Sequence, residues 1–260
     1  MKNYLFYDIA TIYSREMKHF TKQRSSLFMG ITQPILWFLF MGFGMNTLID
    51  LNPHASTVMG VANYITYILP GIITMTAMSG GLFGGADICN DIRFGYINKM
   101  LSSPISRSAI VLGKILSSVI QTCFQVVIVF IFALCFGVEF KFSLKLLWAI
   151  IFFTAFCAQM CAISIMVSVR FKNHQVVYSF LGTLNVPLIF TCNAFFPEAT
   201  MPTIMKIFSY ANPLTYAINS IREVMFETSN NLFFNVSMLF VETMVFIAFS
   251  LLVFKKEYDG

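Results

Sequence analysis

Charged residues are missing from five long stretches of this 260-residue chain, and that spacing limits what it can fold into. No Asp, Glu, Lys or Arg occurs from Ser25 to Ile49 (25 residues), Leu51 to Ala86 (36), Ile115 to Val138 (24), Leu146 to Val169 (24) or Asn173 to Pro197 (25). A helix needs about 20 residues to cross a hydrocarbon core of about 30 Å, so each run is long enough. A sixth candidate, Val236 to Phe254, contains one carboxylate, Glu242. Composition agrees. The chain is 57% hydrophobic and 11% charged, against about 25% charge in a soluble domain, so it has too few polar side chains to cover a soluble surface. A soluble enzyme, a disordered chain and a coiled coil are excluded. Phe and Ile fill the runs without alternation, which excludes a membrane barrel.

The expected fold is an all-α polytopic membrane protein of six transmembrane helices. The spans are placed at about 27–48, 63–86, 109–137, 146–169, 176–194 and 236–254, within one membrane domain over 25–260. The first run is too long for a signal peptide's apolar region, and no small-residue cleavage site follows it; it is read as a retained span. Before it, Leu5, Ile9, Ile12, Tyr13, Met17 and Phe20 recur at helical spacing while Arg15, Lys18 and Lys22 take other faces. Residues 1–24 are therefore read as an amphipathic helix in the membrane interface.

Six spans place the N-terminus, the second and fourth connections and the C-terminus on one side. Thirteen of the seventeen Lys and Arg residues lie there, and Lys141, Lys145, Lys206 and Arg222 lie opposite. By the positive-inside rule both termini are cytoplasmic, in a cell (inner) membrane. The net charge of +5 then faces anionic membrane lipids, with no call for nucleic acid. The six Cys residues form no CxxC pair, which supports neither a disulfide framework nor a zinc site.

Two connections stand out. Residues 87–108 form the longest polar stretch between spans, yet Ile92, Ile97, Met100 and Leu101 suggest a short helix with one apolar face that needs a partner. Residues 195–235, outside, are 41 residues long but largely apolar. Two short helices, about 201–210 and 213–226, fit this segment as re-entrant elements dipping into the outer leaflet and sheltered by protein. Span 5 is expected to be interrupted at Pro187, and Lys114 to snorkel from the inner end of span 3. Gly80/Gly84 and Gly81/Gly85 permit close helix approach, either within the chain or in a dimer.

Catalytic chemistry is absent by pattern. Gly113-Lys114-Ile115 lacks the phosphate loop and its hydroxyl, and no HExxH or GxSxG occurs. A chain that does not hydrolyse ATP itself, with an inner docking segment, points to an external motor. Glu242 is the possible intramembrane carboxylate, about 10 Å below the outer end of span 6, or else a partner of Lys206 or Arg222.

These pieces resemble the ABC-2 type permeases, the membrane subunits of ABC exporters. The resemblance rests on Asp91-Ile-Arg93-Phe-Gly95-Tyr-Ile-Asn-Lys99-Met-Leu101-Ser-Ser-Pro104-Ile-Ser-Arg107, followed by Leu112-Gly113-Lys114. It also rests on Phe195-Phe196-Pro197, Pro202, Asn212-Pro213-Leu-Thr-Tyr216 and Arg222, and on Tyr64-x-x-Tyr67-x-x-Pro70-Gly71. It covers essentially the whole chain. One departure is Ile92-Arg93, where the family often has a basic–acidic pair before the glycine.

The resemblance implies a cytoplasmic coupling helix in 91–101, with Asp91, Arg93, Gly95, Lys99, Pro104 and Arg107 as motor-coupling residues. It implies an outer gate at Phe196, Pro197, Pro202, Asn212, Pro213, Tyr216 and Arg222. The chain would bind no cofactor; ATP and Mg would sit on a separate ABC ATPase subunit, in two copies. The second membrane half would be another copy of this chain (a homodimer) or a paralogous permease. The cargo would be an amphiphilic or lipid-like substrate or drug. Alternatives are a polysaccharide or lipid-linked saccharide permease and, from other classes, a nucleotide-independent carrier or a membrane assembly factor.

Overall fold

Every regular element among the described residues of the computed structural model is helical. Those residues are 5–22, 24–45, 63–136, 138, 144–226 and 231–259. The expected outer loop at 49–62, most of the turn at 138–145 and residues 227–230 of the second outer segment lie outside them.

In chain order, α1 is Leu5–Lys22 and α2 is Arg24–Trp37, which continues into a π-helical turn, Phe38–Phe43. Pro34 lies inside α2, and its missing N–H loosens the ladder just before the helix widens. Helix α3, Tyr64–Ala86, leads into two short helices, α4 (Ile88–Arg93) and α5 (Tyr96–Leu101). Long helices α6 (Arg107–Cys135) and α7 (Leu146–Phe171) follow, then α8 (His174–Thr191). A single 3₁₀ turn precedes α9 (Thr203–Tyr210) and α10 (Pro213–Phe226), and α11 (Leu232–Asp259) closes the chain.

Four helical stretches are long and apolar enough to cross a membrane: α3 with α4, α6, α7 and α11; Gly30–Phe43 is a shorter apolar piece. The exposed sides of the outermost helices are themselves apolar. On α11, Val241, Met244 and Leu252 are 59%, 67% and 63% exposed, and on α6 Phe124, Val127 and Ile131 exceed half exposure. Apolar side chains arrayed like this along a whole helix need lipid around them.

Helix α3 is the hub, buried almost continuously from Tyr64 to Met78. Its C-terminal half carries the glycine pairs, and their use is within the chain. A Cβ on Gly81 would meet the Cys157 carbonyl oxygen at 2.5 Å, and one on Gly85 the Cys161 carbonyl oxygen at 2.5 Å. Those are backbone atoms of α7. Gly80 and Gly84 receive Thr122 and Ser118 of α6. Hydroxyls then bond across the close contacts: Ser118 Oγ donates to the Gly80 carbonyl at 3.1 Å and Ser164 Oγ to the Leu82 carbonyl at 2.5 Å. Gly85→Ala is therefore expected to lower stability by about 1–3 kcal/mol through overpacking. Thermal unfolding in detergent followed by intrinsic fluorescence measures it; an unchanged midpoint contradicts this packing.

Helix α8 runs through Pro187 without a break and ends at Thr191, which corrects the expected interruption. Its start is fixed by Asn173, whose Oδ1 accepts from the N–H groups of Gln175 and Val176 at 3.0 and 3.3 Å, an N-cap. A second apolar cluster lies past the C-terminal end of α3, joining Ile12, Ile88, Ile97, Ile110, Ile165 and Phe254. It ties α1, α4 and α5 to the long helices.

Candidate functional site

The segment 87–108 turns on Gly95, which separates α4 from α5 with φ +72°. Only glycine adopts that conformation without cost. The turn sorts the side chains. Ile97 and Met100 go inward, while Arg93, Phe94, Tyr96 and Lys99 point out, Phe94 being 66% exposed. The exposed groups form one surface: the Arg93 guanidinium carbon is 5.8 Å from the Phe94 ring centre, Lys99 Nζ is 5.6 Å from that of Tyr96, and the two rings meet edge to face.

Beneath that surface lies a charge cluster drawn from three helices. Lys114 of α6, 2% exposed, places Nζ 3.0 Å from Glu16 Oε1 and 2.8 Å from Asp91 Oδ2. Arg15 Nη2 reaches the same Asp91 oxygen at 2.7 Å and also contacts Glu16. Burial pulls the Arg15 guanidinium down, but the Glu16 and Asp91 contacts outweigh it and hold the group above its ordinary value. Nearby, the Ser106 N–H at the head of α6 donates to Asp8 Oδ2 at 3.0 Å. Helix α1 is thus bound to both ends of the segment, and Ile12 packs against Gly113.

At the Tyr64 end of α3, the chain breaks after Thr191, and the freed backbone groups find side-chain partners. Tyr67 and Arg222 both donate to the Asn193 carbonyl, at 3.2 and 3.0 Å, and Tyr64 donates to that of Phe195 at 2.9 Å. The Arg222 guanidinium carbon lies 4.1 Å from the Tyr67 ring centre. Gly71 leaves room for Ala194, whose Cβ would stand 2.9 Å from an added one. Asn212 Nδ2 donates to the Leu188 carbonyl at 2.7 Å and Thr191 Oγ1 at 3.0 Å, while its Oδ1 accepts from the Leu214 N–H at 2.9 Å. Pro213 opens α10, where a missing N–H costs nothing. Tyr216 donates to the Tyr210 carbonyl at 2.6 Å. The Asn212–Tyr216 stretch therefore clasps the ends of α8 and α9 to the start of α10.

Between α2, α3, α6 and α8 lies a cavity of about 510 Å³, within the range that holds drug-sized molecules. Gln33, Ser79, Gln121 and Gln125 line it, together with Trp37 and Ile72 and, toward the Ala86 end of α3, Asp87, His174 and Tyr178.

Residues 7–226 match the ABC-2 type transporter family. The chain belongs to that family. A transport permease, ycf38, of Cyanophora paradoxa is 27% identical over 198 residues, covering 76% of this chain and 67% of that protein. The ycf38 permease of Porphyra purpurea is 26% identical over 229 residues, 86% of this chain and 76% of its own. That of Pyropia yezoensis is 27% identical over 223 residues, 84% and 74%. The family is one of membrane transport components and implies association with an ATP-binding subunit.

In this permease the residues expected to couple to a motor divide. Arg93 and Lys99 are exposed, Gly95 makes the turn, Pro104 is exposed three residues past α5 and Arg107 opens α6. Asp91 instead turns inward to Lys114 and Arg15. Lys114 does not snorkel: its ammonium is held by two carboxylates inside the protein. Of the residues expected at the gate, Tyr216 and Arg222 are 8% exposed and bound to carbonyls, whereas Phe196 is 47% exposed and Pro202 is open. Glu242 pairs with neither Lys206 nor Arg222; its Oε2 accepts from Gln159 Nε2 at 3.1 Å.

Sequence reading passed over Phe94 and Tyr96, the Arg15–Glu16–Lys114 group and the amides of the cavity. A lysine one or two turns inside an apolar run, with no acid nearby in sequence, was the available signal for the second. The amides gave none, being single residues on separate helices.

Proposed function

We propose that this permease is the membrane half of an ATP-driven exporter that moves amphiphilic molecules outward. A separate ATPase subunit, carrying ATP and Mg, docks on α4–α5, one per permease, and two permeases, identical or paralogous, form the pathway. Six spans with both termini cytoplasmic fit this arrangement, since thirteen of seventeen basic residues then lie inside. Helices α9 and α10 re-enter the outer leaflet, and the exposed Ile204 and Ile207 of α9 suit lipid contact. Glu242 is engaged by Gln159, which counts against a nucleotide-independent carrier built on it.

The observation that carries this reading is the exposed Arg93–Phe94–Tyr96–Lys99 surface on a buried footing. Two aromatics flanked by cations have the character of an interface centre, and the ion cluster beneath makes the surface rigid enough to receive force. Tagged permease extracted gently from its own membrane is expected to bring down a stoichiometric partner with a phosphate loop, identified by mass spectrometry. The pair Arg93→Ala and Phe94→Ala is expected to weaken that association at least about tenfold while membrane insertion stays normal. An intact, monodisperse permease without an ATPase, or unchanged association of the variant, defeats the reading.

A further inference from the structure

The inner mouth of the cavity has a chemistry of its own. Asp87, at the end of α3, has Oδ1 3.1 Å from the Tyr178 hydroxyl and 3.5 Å from Asn90 Nδ2, and both of these partners are neutral donors. The nearest lysine acting on it, Lys114, already faces Glu16 and Asp91 at bonding distance. Arg15 and Lys114 bond Glu16 and Asp91, and among the described residues no ion pair reaches Asp87, on which Lys114 and His19 act without a direct bond. Among the described residues it is also the one carboxylate lining the cavity.

Aromatic rings gather beside this carboxylate. His174 stacks on Tyr178 with ring centres 4.2 Å apart, and Phe83 stacks on Tyr178 at 6.0 Å, nearly parallel. All three rings line the cavity. Phe83 stands one turn before Asp87 on α3 and is 36% exposed, and a carboxylate beside an open ring attracts a weakly hydrated organic cation, because the ring quadrupole and the charge act in the same direction. An anionic head group would be repelled and would leave the Tyr178 and Asn90 donors already spent on Asp87.

The rest of the cavity fits a body attached to such a head. From Asp87 to Ile72, α3 rises about 22 Å, passing the amide level at Ser79 and reaching Ile72, Met75 and Trp37. The polarity therefore grades from charged and aromatic at the inner end to apolar toward the membrane centre.

We propose that this cavity binds an amphiphilic organic cation, with its charge at Asp87 beside the Phe83 and Tyr178 rings and its apolar part toward Trp37. The inference names the cargo class for the permease function above and rests on that reading.

The test uses the full-length permease in neutral-detergent micelles, without nucleotide or partner, and tritiated tetraphenylphosphonium as the probe. Saturable binding is expected, uncompeted by tetraphenylborate, an anion of nearly the same shape. Asp87→Asn is expected to weaken binding at least about tenfold and Asp87→Glu to retain it within about threefold. Phe83→Leu, which spares every hydrogen bond of the site, is expected to weaken it about threefold or more. Competition by tetraphenylborate equal to that by the cation overturns the proposal, as does unchanged affinity in Asp87→Asn. Should that variant fail to purify as a monodisperse species, unchanged affinity in Phe83→Leu overturns it. Loss of this binding leaves the motor association intact, and loss of motor association leaves this binding intact, so the two failures are told apart.

Discussion

Replacing Lys114 by Met is expected to cost about 3–5 kcal/mol, the penalty for breaking a buried ion pair and stranding its partners. The side chain is 3% exposed and touches Glu16 and Asp91, themselves 11% and 14% exposed, so water offers little compensation. Without Lys114 the cluster holds Arg15 against two carboxylates. Arg15 is 37% exposed, and Arg15→Met is expected to cost under about 1 kcal/mol, because its contacts are screened. The pair Lys114→Met with Glu16→Gln restores neutrality and is expected to recover part of the loss, a non-additivity typical of contacting residues. Thermal unfolding of the four proteins in one detergent measures this. If Lys114→Met and Arg15→Met lower the midpoint equally, the cluster does not work as described.

The same cluster explains where sequence reading succeeds and where it stops. The apolar stretches expected at 63–86, 109–137, 146–169 and 236–254 fall on α3, α6, α7 and α11 to within about five residues, since a span must be both long and apolar and those properties are local. The break at Ala211–Asn212–Pro213 is local too, through the proline and its cap. Lys114 was different. Its partners are Glu16 and Asp91 on other helices, and nothing near it in sequence is acidic, so position alone suggested a membrane-edge lysine. The glycine pairs of α3 were visible, but whether α7 or another chain filled them depended on packing that periodicity does not encode. The cavity polarity depended on bringing Gln33, Gln121 and Gln125 from α2 and α6 to face Ser79 of α3. One glutamine in a span says little; three facing one space define a surface.

Arg222→Met is expected to loosen the segment that follows α8, because one side chain there holds a broken backbone in place. The guanidinium donates to the Asn193 carbonyl at 3.0 Å and lies over the Tyr67 ring at 4.1 Å. A charge-assisted hydrogen bond contributes about 1.5–3 kcal/mol and a desolvated cation–π contact up to about 2; sharing one group, they are not additive. A loss of about 2–4 kcal/mol is expected. Arg222→Lys should recover less than half of it, since a compact ammonium cannot stack on Tyr67 and reach the carbonyl with the same planar group. Tyr67→Phe provides the contrast: it keeps the ring under the guanidinium and removes only the neutral bond to Asn193, 3.2 Å long, for about 1 kcal/mol. Because Asn193 also donates to Asn219 at 2.6 Å, disturbance at Arg222 passes directly to α10. The expected order of destabilisation is therefore Met, then Lys at 222, then Phe at 67, accompanied by faster cysteine labelling of Cys192, which is 2% exposed. Equal labelling in all three would mean that the break after Thr191 is held by packing, with Arg222 only filling space.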